Sequence, residues 1–215
     1  MAAQKTTKER ITFLTQFSLL LAIEALFCFT PLGSIPVPGG IVATLAAVPV
    51  IITGIVMGVK AGALMGFAAG LFSFIVWTFM APGPMAFVFT PFYSIGDVHG
   101  NFWSLVICFV PRILVGVVAA IIYKIFSRLA KKRFWVYGLA GILGSFTNTI
   151  GVLGGIYIFF GEPYAEVMGV GYKVLLGLIA GSVLTNGIPE AIVAALVAMA
   201  VCAPLIKIST PKNVE

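Results

Sequence analysis

The sequence predicts an all-α membrane protein with six transmembrane helices and cytoplasmic N- and C-termini, and three observations carry that prediction. Hydrophobic residues fill 60% of the 215 positions and charged residues only 9%, against about 25% charged in soluble domains; mean hydropathy is +1.13. The apolar residues run continuously over lengths near the roughly 20 residues that a spanning helix needs, without the alternation of a barrel strand. Cations gather in every second gap between these runs. Spans of that length use up the chain, so residues 1–215 read as a single transmembrane domain in the cell membrane.

The first segment covers 11–35 and leads into "PLGSIPVPGG", a Pro/Gly-rich stretch that reads as a loop. The second, 41–57, is short, crowded with small residues and interrupted by Pro49. The third, 59–80, precedes "APGPMAFVFTPFYSIGDVHG", and the fourth, 101–126, precedes the basic turn "SRLAKKR". The fifth, 134–160, ends at "GEPYAEVMGVG", and the sixth covers 172–206. The N-terminal run exceeds the 7–15 residue core of a signal peptide, and no small-x-small cleavage site precedes "PVPGG".

Orientation follows from the cations, because Lys- and Arg-rich flanks stay on the cytoplasmic side. Lys5, Lys8 and Arg10 precede the first segment, and Lys60 separates the second from the third. Lys124, Arg128, Lys131, Lys132 and Arg133 surround the turn after the fourth, and Lys207 and Lys212 follow the sixth. The opposite loops carry Asp97, Glu162 and Glu166, with Lys173 as their cation. A net charge of +6 could suggest nucleic acid, but these cations flank hydrophobic spans, so topology explains them and no nucleic-acid partner is expected.

Several chemistries find no support. Cys28, Cys108 and Cys202 are scattered through apolar segments and read as small hydrophobes. With His99 as the sole histidine, no metal site is expected. No G-x-x-x-x-G-K-[ST] loop occurs, so uphill transport would need an ion gradient or another subunit, and no cofactor is expected in this chain. No Ser/His or His/carboxylate constellation lies within the spans, which argues against an intramembrane enzyme.

Close helix contact in lipid depends on small residues. Gly62, Gly66 and Gly70 recur every four residues in the third segment, widened by Ala61 and Ala69; Gly177, Gly181, Ala191, Ala195 and Ala198 repeat the pattern in the sixth. These read as packing stripes. Ser18 and Ala22 form a small-residue face on the first segment that could dock another membrane protein.

Intramembrane ionisable groups cost about 2.5–3.5 kcal/mol on insertion scales and mark function. Here they are Glu24, Arg112 and Glu190, joined by Gln16, Asn148, Asn186, Trp77, Trp103 and Tyr157. Arg112 lies about 11 residues, or roughly 16 Å, from the outer end of its segment, with Asn148 about 12 and Asn186 about 14 residues in. Similar depth on three helices describes an outward-opening cavity floored by Arg112 and amides. Its wall would be Trp77 and Trp103, beneath a loop carrying Asp97, His99 and Asn101. The candidate substrate-binding set is Arg112, Asn148, Asn186, Trp103, Trp77, Asn101, Gly181 and Glu190. Structural readings stand beside it: Arg112 paired with Glu24 or Glu190, Glu190 serving a kink at Pro189, the asparagines as interhelical bonds, Trp103 as an interfacial residue.

The basic N-terminus, the Pro/Gly outer loop, the glycine-striped third span and the basic turn before the fifth resemble the substrate-binding S component of energy-coupling factor vitamin transporters. The segments "NFWSLVICFVPRILVG", "GSFTNTIGVLGGIYIFFG" and "LTNGIPEAIVAAL" look most like its pantothenate-specific branch. The resemblance implies a six-helix subunit that captures a vitamin from outside under closing loops. It implies partnership with a transmembrane coupling subunit and two ATPases, and toppling in the bilayer to release cargo inward. The family presents an alanine-x-x-x-alanine face on the first span to the coupling subunit; here Ser18 and Ala22 are the nearest match.

Charge weighs the substrate. A guanidinium can hold a carboxylate bidentately, so Arg112 suits pantothenate, with Asn148 and Asn186 toward its amide and hydroxyls. Folate would call for more cations and thiamine for a carboxylate with aromatic stacking, while biotin stays compatible. A self-sufficient ion-coupled carrier is the competing class: Glu24 and Glu190 favour it, and the lack of an evident internal repeat opposes it.

Overall fold

In a computed structural model of the chain, residues 7–37, 41–80, 83–129 and 134–209 are described. Of the cations that orient the sequence reading, Lys5, Lys131, Lys132, Arg133 and Lys212 lie outside the described residues. The fold is helical, with five helical segments long and apolar enough to cross a membrane: Glu9–Phe29, Val59–Met80, Phe102–Leu129, Phe134–Val167 and Tyr172–Lys207.

Helix α1 (Thr7–Phe29) stops before Pro31 rather than running to residue 35, because proline disfavours helix in the residue ahead of it. The chain then forms a hairpin of β1 (Ser34–Val37) and β2 (Ile41–Thr44), pairing Ser34 with Thr44. This corrects the second predicted span. Its first residues are strand, and the helix proper, α2 (Val48–Met57), has 10 residues, about 15 Å of rise and half a bilayer core. Pro49 lies in the first turn of α2, where its missing N–H costs nothing, so it opens the helix instead of interrupting it. Gly58 turns the chain at φ 89°, a conformation suited to glycine.

α3 (Val59–Ile75) continues into a π turn, Val76–Met80, which together match the predicted third span. The next loop folds on itself through a 3-10 turn at Ala86–Val88 and a small hairpin of β3 (Ser94–Ile95) and β4 (Val98–His99), bridged by the His99 Nδ1 to Ser94 Oγ contact at 2.8 Å. Phe87 is fully buried against Phe160, and the Ser104 hydroxyl donates to the Phe87 carbonyl at 2.6 Å. α4 (Phe102–Leu129) follows, then α5 (Phe134–Val167).

The fifth span is longer than expected. Backbone angles break at Phe160 (φ −132°, ψ 16°) and the helix resumes through Val167, so most of "GEPYAEV" is helix rather than loop. Pro163 falls early in the resumed piece, where proline is tolerated. The last span is α6 (Tyr172–Ser182), a π turn at Val183–Gly187, and α7 (Ile188–Ser209).

Glycines set the closest approaches. A Cβ on Gly116 of α4 would collide with the Gly62 carbonyl of α3, and one on Gly66 would meet the Arg112 carbonyl. One on Gly141 of α5 would lie 2.8 Å from the Ala194 carbonyl of α7. Ala191, Ala195 and Ala198 are buried as the stripe predicts. Gly177 and Gly181 are not packed: a Cβ on either meets nothing within 4 Å, and Leu175 is the buried residue of α6. The small-residue pattern of the sixth span is therefore a packing face in α7 and an open face in α6. Ile51, Met65, Val115, Ala119 and Cys202 centre the core toward the end bearing Lys60, Lys124 and Arg128, here the basic end; the hairpins mark the opposite, loop end.

Candidate functional site

α4 carries the residue on which the site is built. Pro111 lacks an N–H, so the Ile107 carbonyl one turn earlier loses its helical partner. The neighbouring Arg112 turns back onto this gap: Nη1 donates to the Cys108 carbonyl at 2.7 Å and to the Ile107 carbonyl at 3.4 Å, while Nη2 donates to Ser73 Oγ of α3 at 2.9 Å. Gly151 of α5 leaves room for the Pro111 ring, 2.9 Å from where a Cβ would stand. The Arg112 guanidinium carbon lies 5.6 Å from the centre of the Phe89 ring, within cation–π range. Among the described residues, every hydrogen-bond partner of Arg112 is neutral.

Arg112 lines a cavity of about 380 Å³ toward the loop end, within the usual range for small-molecule sites. α1 contributes Glu24, Phe27 and Cys28; the residues leading from β2 into α2 contribute Thr44, Ala47 and Val50. α3 and its π turn supply Ser73, Val76 and Trp77, and α5 supplies Asn148 and Val152. Trp77 stacks on Phe89 with centroids 5.1 Å apart, closing one aromatic wall.

Among the described residues, two oxygens of side chains that line this cavity lack hydrogen-bond partners. Glu24 is fully buried; its Oε1 accepts from the Cys28 thiol at 3.4 Å, and its Oε2 has no hydrogen bond. Asn148 Oδ1 is likewise buried and unsatisfied. Buried acceptors without donors cost about 1–3 kcal/mol each, a cost that hydroxyl or amide hydrogens brought to them would relieve. With Arg112 as donor and valines between, the lining suits a small anion carrying an apolar body and hydrogen-bond donors.

The structure brings Arg112, Asn148 and Trp77 together and places the other candidates elsewhere. Asn186 sits in the π turn of the last span with its side chain exposed. Trp103 is 44% exposed and stacks on Phe159 at 4.0 Å. Asn101 caps α4, its Oδ1 accepting from the Trp103 N–H at 2.8 Å, as N-cap residues do. Gly181 faces open space. Glu190 Oε1 accepts from both the backbone N–H (3.1 Å) and the hydroxyl (2.7 Å) of Thr44, tying the first hairpin to the last span. Ser18 and Ala22 are exposed on the side of α1 away from Leu20 and Glu24.

Ser73, Phe89, Thr44 and Cys28 are lining residues that sequence reasoning did not place in the site, and Glu24 was weighed there as a partner for Arg112 or a coupling group rather than as part of the binding set. A signal for Ser73 existed. Residues 66, 70, 73 and 77 fall on one helical face, so the glycine stripe that seats α3 against Arg112 continues outward into the cavity wall.

Comparison with known proteins agrees with this architecture. Residues 12–202 match the family described as ECF transporter, substrate-specific component. The pantothenic acid transporter PanT of Lactococcus lactis subsp. cremoris (strain MG1363) is 36% identical over 205 residues, covering 95% of this chain and 97% of that protein. A helical membrane bundle with a ligand-sized cavity, matched to one family along nearly its whole length, belongs to the substrate-specific components of ECF transporters.

Proposed function

We propose that this subunit captures pantothenate, with Arg112 anchoring the carboxylate and Asn148 and Glu24 receiving the hydroxyl and amide hydrogens. The observation that carries this reading is a guanidinium that lines the cavity and whose hydrogen bonds, among the described residues, all go to neutral groups, beside two unpartnered acceptors. Pantothenate offers one carboxylate, two hydroxyls, an amide and a branched alkyl centre, which fits the valine and aromatic walls. The name of the 36% identical relative supports the same vitamin. In this reading α2 is a short sixth membrane segment, the basic end and both termini face the cytoplasm, and the cavity opens outward. The exposed Ser18 and Ala22 face of α1 meets a transmembrane coupling subunit, whose two associated ATPases drive release inward.

As a transporter component the chain is not an enzyme, and it is a multi-pass protein of the cell membrane. The test uses the purified subunit in detergent and in proteoliposomes. Labelled pantothenate is expected to bind and to resist competition by folate, thiamine, biotin and riboflavin, with no uptake by the subunit alone. Displacement by another vitamin reassigns the substrate. Uptake driven by a proton or sodium gradient replaces the proposal with a self-sufficient carrier.

A further inference from the structure

A second cavity, of about 730 Å³, lies at the basic end, and helix register explains it. Gly62 of α3 abuts Gly116 of α4 and a Cβ on Gly54 would lie 3.3 Å from the Ala120 nitrogen, so the turn at Gly58 is level with about Ala120. α4 runs on to Leu129, about 13 Å beyond that turn. Because α2 is so short, the α2–α3 turn is sunk below the end of α4, leaving a recess with the last turns of α4 as its wall and Phe13 of α1 opposite.

On that wall Tyr123, Lys124, Ser127 and Arg128 fall on one helical face, and Lys60 joins them from α3. The floor is apolar, with Ile55 and Ala120. The first turn of α3 opens into the same space, and its N-cap, Gly58, offers no side-chain hydrogen bond. A helix N-terminus carries partial positive charge and unpaired N–H groups, and near the bilayer these need an acceptor. The tendency of cations to stay cytoplasmic would be met by placing them anywhere along the turns. It does not require three of them to converge on one hollow with an apolar floor.

We propose that this recess binds the headgroup of an anionic phospholipid, its phosphate meeting Lys60, Lys124, Arg128 and the α3 N-terminus while the acyl chains leave across the apolar floor. A free phosphate shares the headgroup chemistry but has nothing to place on Ile55 and Ala120, and basic hollows between transmembrane helices are known to take lipid headgroups.

The experiment compares the purified subunit in bilayers of phosphatidylcholine with and without phosphatidylglycerol, counting retained lipids by native mass spectrometry and titrating the lipid by fluorescence. Phosphatidylglycerol is expected to be retained selectively, with Lys124→Gln and Arg128→Gln each weakening retention about fivefold and vitamin binding at the loop-end cavity unchanged. Lys207→Gln removes a cation from the same end that does not line the recess, and is expected to leave retention unaltered. Equal losses at Lys207 and Arg128 would reduce the effect to general surface charge and overturn the site. Displacement of the lipid by millimolar inorganic phosphate would replace it with a soluble-anion site. No selective retention by the folded wild type would overturn it as well.

Discussion

The seam between α3 and α4 and the seam between α5 and α6 look alike in sequence, since both are striped with glycine, yet the chain uses them oppositely. Along the first, Gly62, Gly66 and Gly116 bring backbones into direct contact, and the helix so fixed is the one that presents Arg112. Along the second, contact at the start of α6 is through side chains: Tyr172 stacks on Tyr157 at 5.8 Å and its ring fills the space beside Gly161. Past Leu175 the glycines face nothing, and Gly154 of α5 also has an open face. A small residue permits close approach without enforcing it. What closes the first seam is reciprocity, each glycine meeting a backbone atom of the other helix, in a medium where contact energy comes from packing rather than from exclusion of water.

The largest test of this difference is a pair of substitutions of equal size. Gly116→Leu places its side chain where the α3 backbone stands and is expected to prevent recovery of a monodisperse protein. Gly177→Leu, with open space around it, is expected to shift stability by no more than about 0.5 kcal/mol. Thermal melts in detergent read both. Similar losses at the two sites would mean that the α5–α6 seam is packed as tightly as the other.

Next in size is the chemistry that the closed seam supports. Arg112→Ala is expected to weaken pantothenate binding by at least about 2 kcal/mol, close to thirtyfold, as loss of a charged hydrogen-bonded partner should. Calorimetry on a variant with an unaltered melting temperature measures it. Unchanged affinity would remove Arg112 from the anchor role. Glu24→Gln comes below that, about tenfold, because a carboxyl group lining the cavity beside the ligand becomes an amide with different hydrogen-bonding capacity. An analogue lacking the hydroxyls should lose the same factor against the wild type and nothing further against the variant; additive losses would separate Glu24 from the hydroxyls.

How much of this was legible in the sequence depended on which coordinate was being read. Continuous hydropathy located the third, fourth and sixth spans to within about three residues, because hydrophobic length is a one-dimensional property, but it carried the first past Phe29 into the strand before Pro36. It failed at residues 41–57, where an apolar strand leads into an apolar helix, and short apolar runs do not distinguish the two. It failed again at 161–167, where Glu162, Pro163 and Glu166 imitate a loop although the helix resumes after Phe160. In the site, depth along the helix was readable and rotation about it was not. Arg112 and Asn148 share depth and direction, whereas Asn186 shares depth alone, since the π turn at Val183–Gly187 inserts residues that shift the helical phase. Glu24 escaped selection because an intramembrane carboxylate reads equally as a partner for Arg112; in the fold both line one cavity, and among the described residues no hydrogen bond joins them.

The smallest expected effect concerns what covers the cavity. Thr44 lines it at the foot of the first hairpin and holds Glu190 of the last span through two hydrogen bonds to one oxygen, one from the backbone and one from the side chain. Thr44→Val keeps the shape and the backbone bond and removes the hydroxyl bond, so a net loss of about 1 kcal/mol is the most that geometry allows. If this tie steadies the hairpin over bound ligand, the loss should fall on the dissociation rate, up to about fivefold, with association unchanged. Glu190→Gln, which keeps an acceptor oxygen but removes the charge, should produce a comparable change, and the double variant should show less than the sum because both alter one contact. Stopped-flow release of labelled pantothenate would measure all three. Strictly additive effects would show that Glu190 and Thr44 act separately, and would leave the α6–α7 span with no hold on the hairpin that borders the cavity.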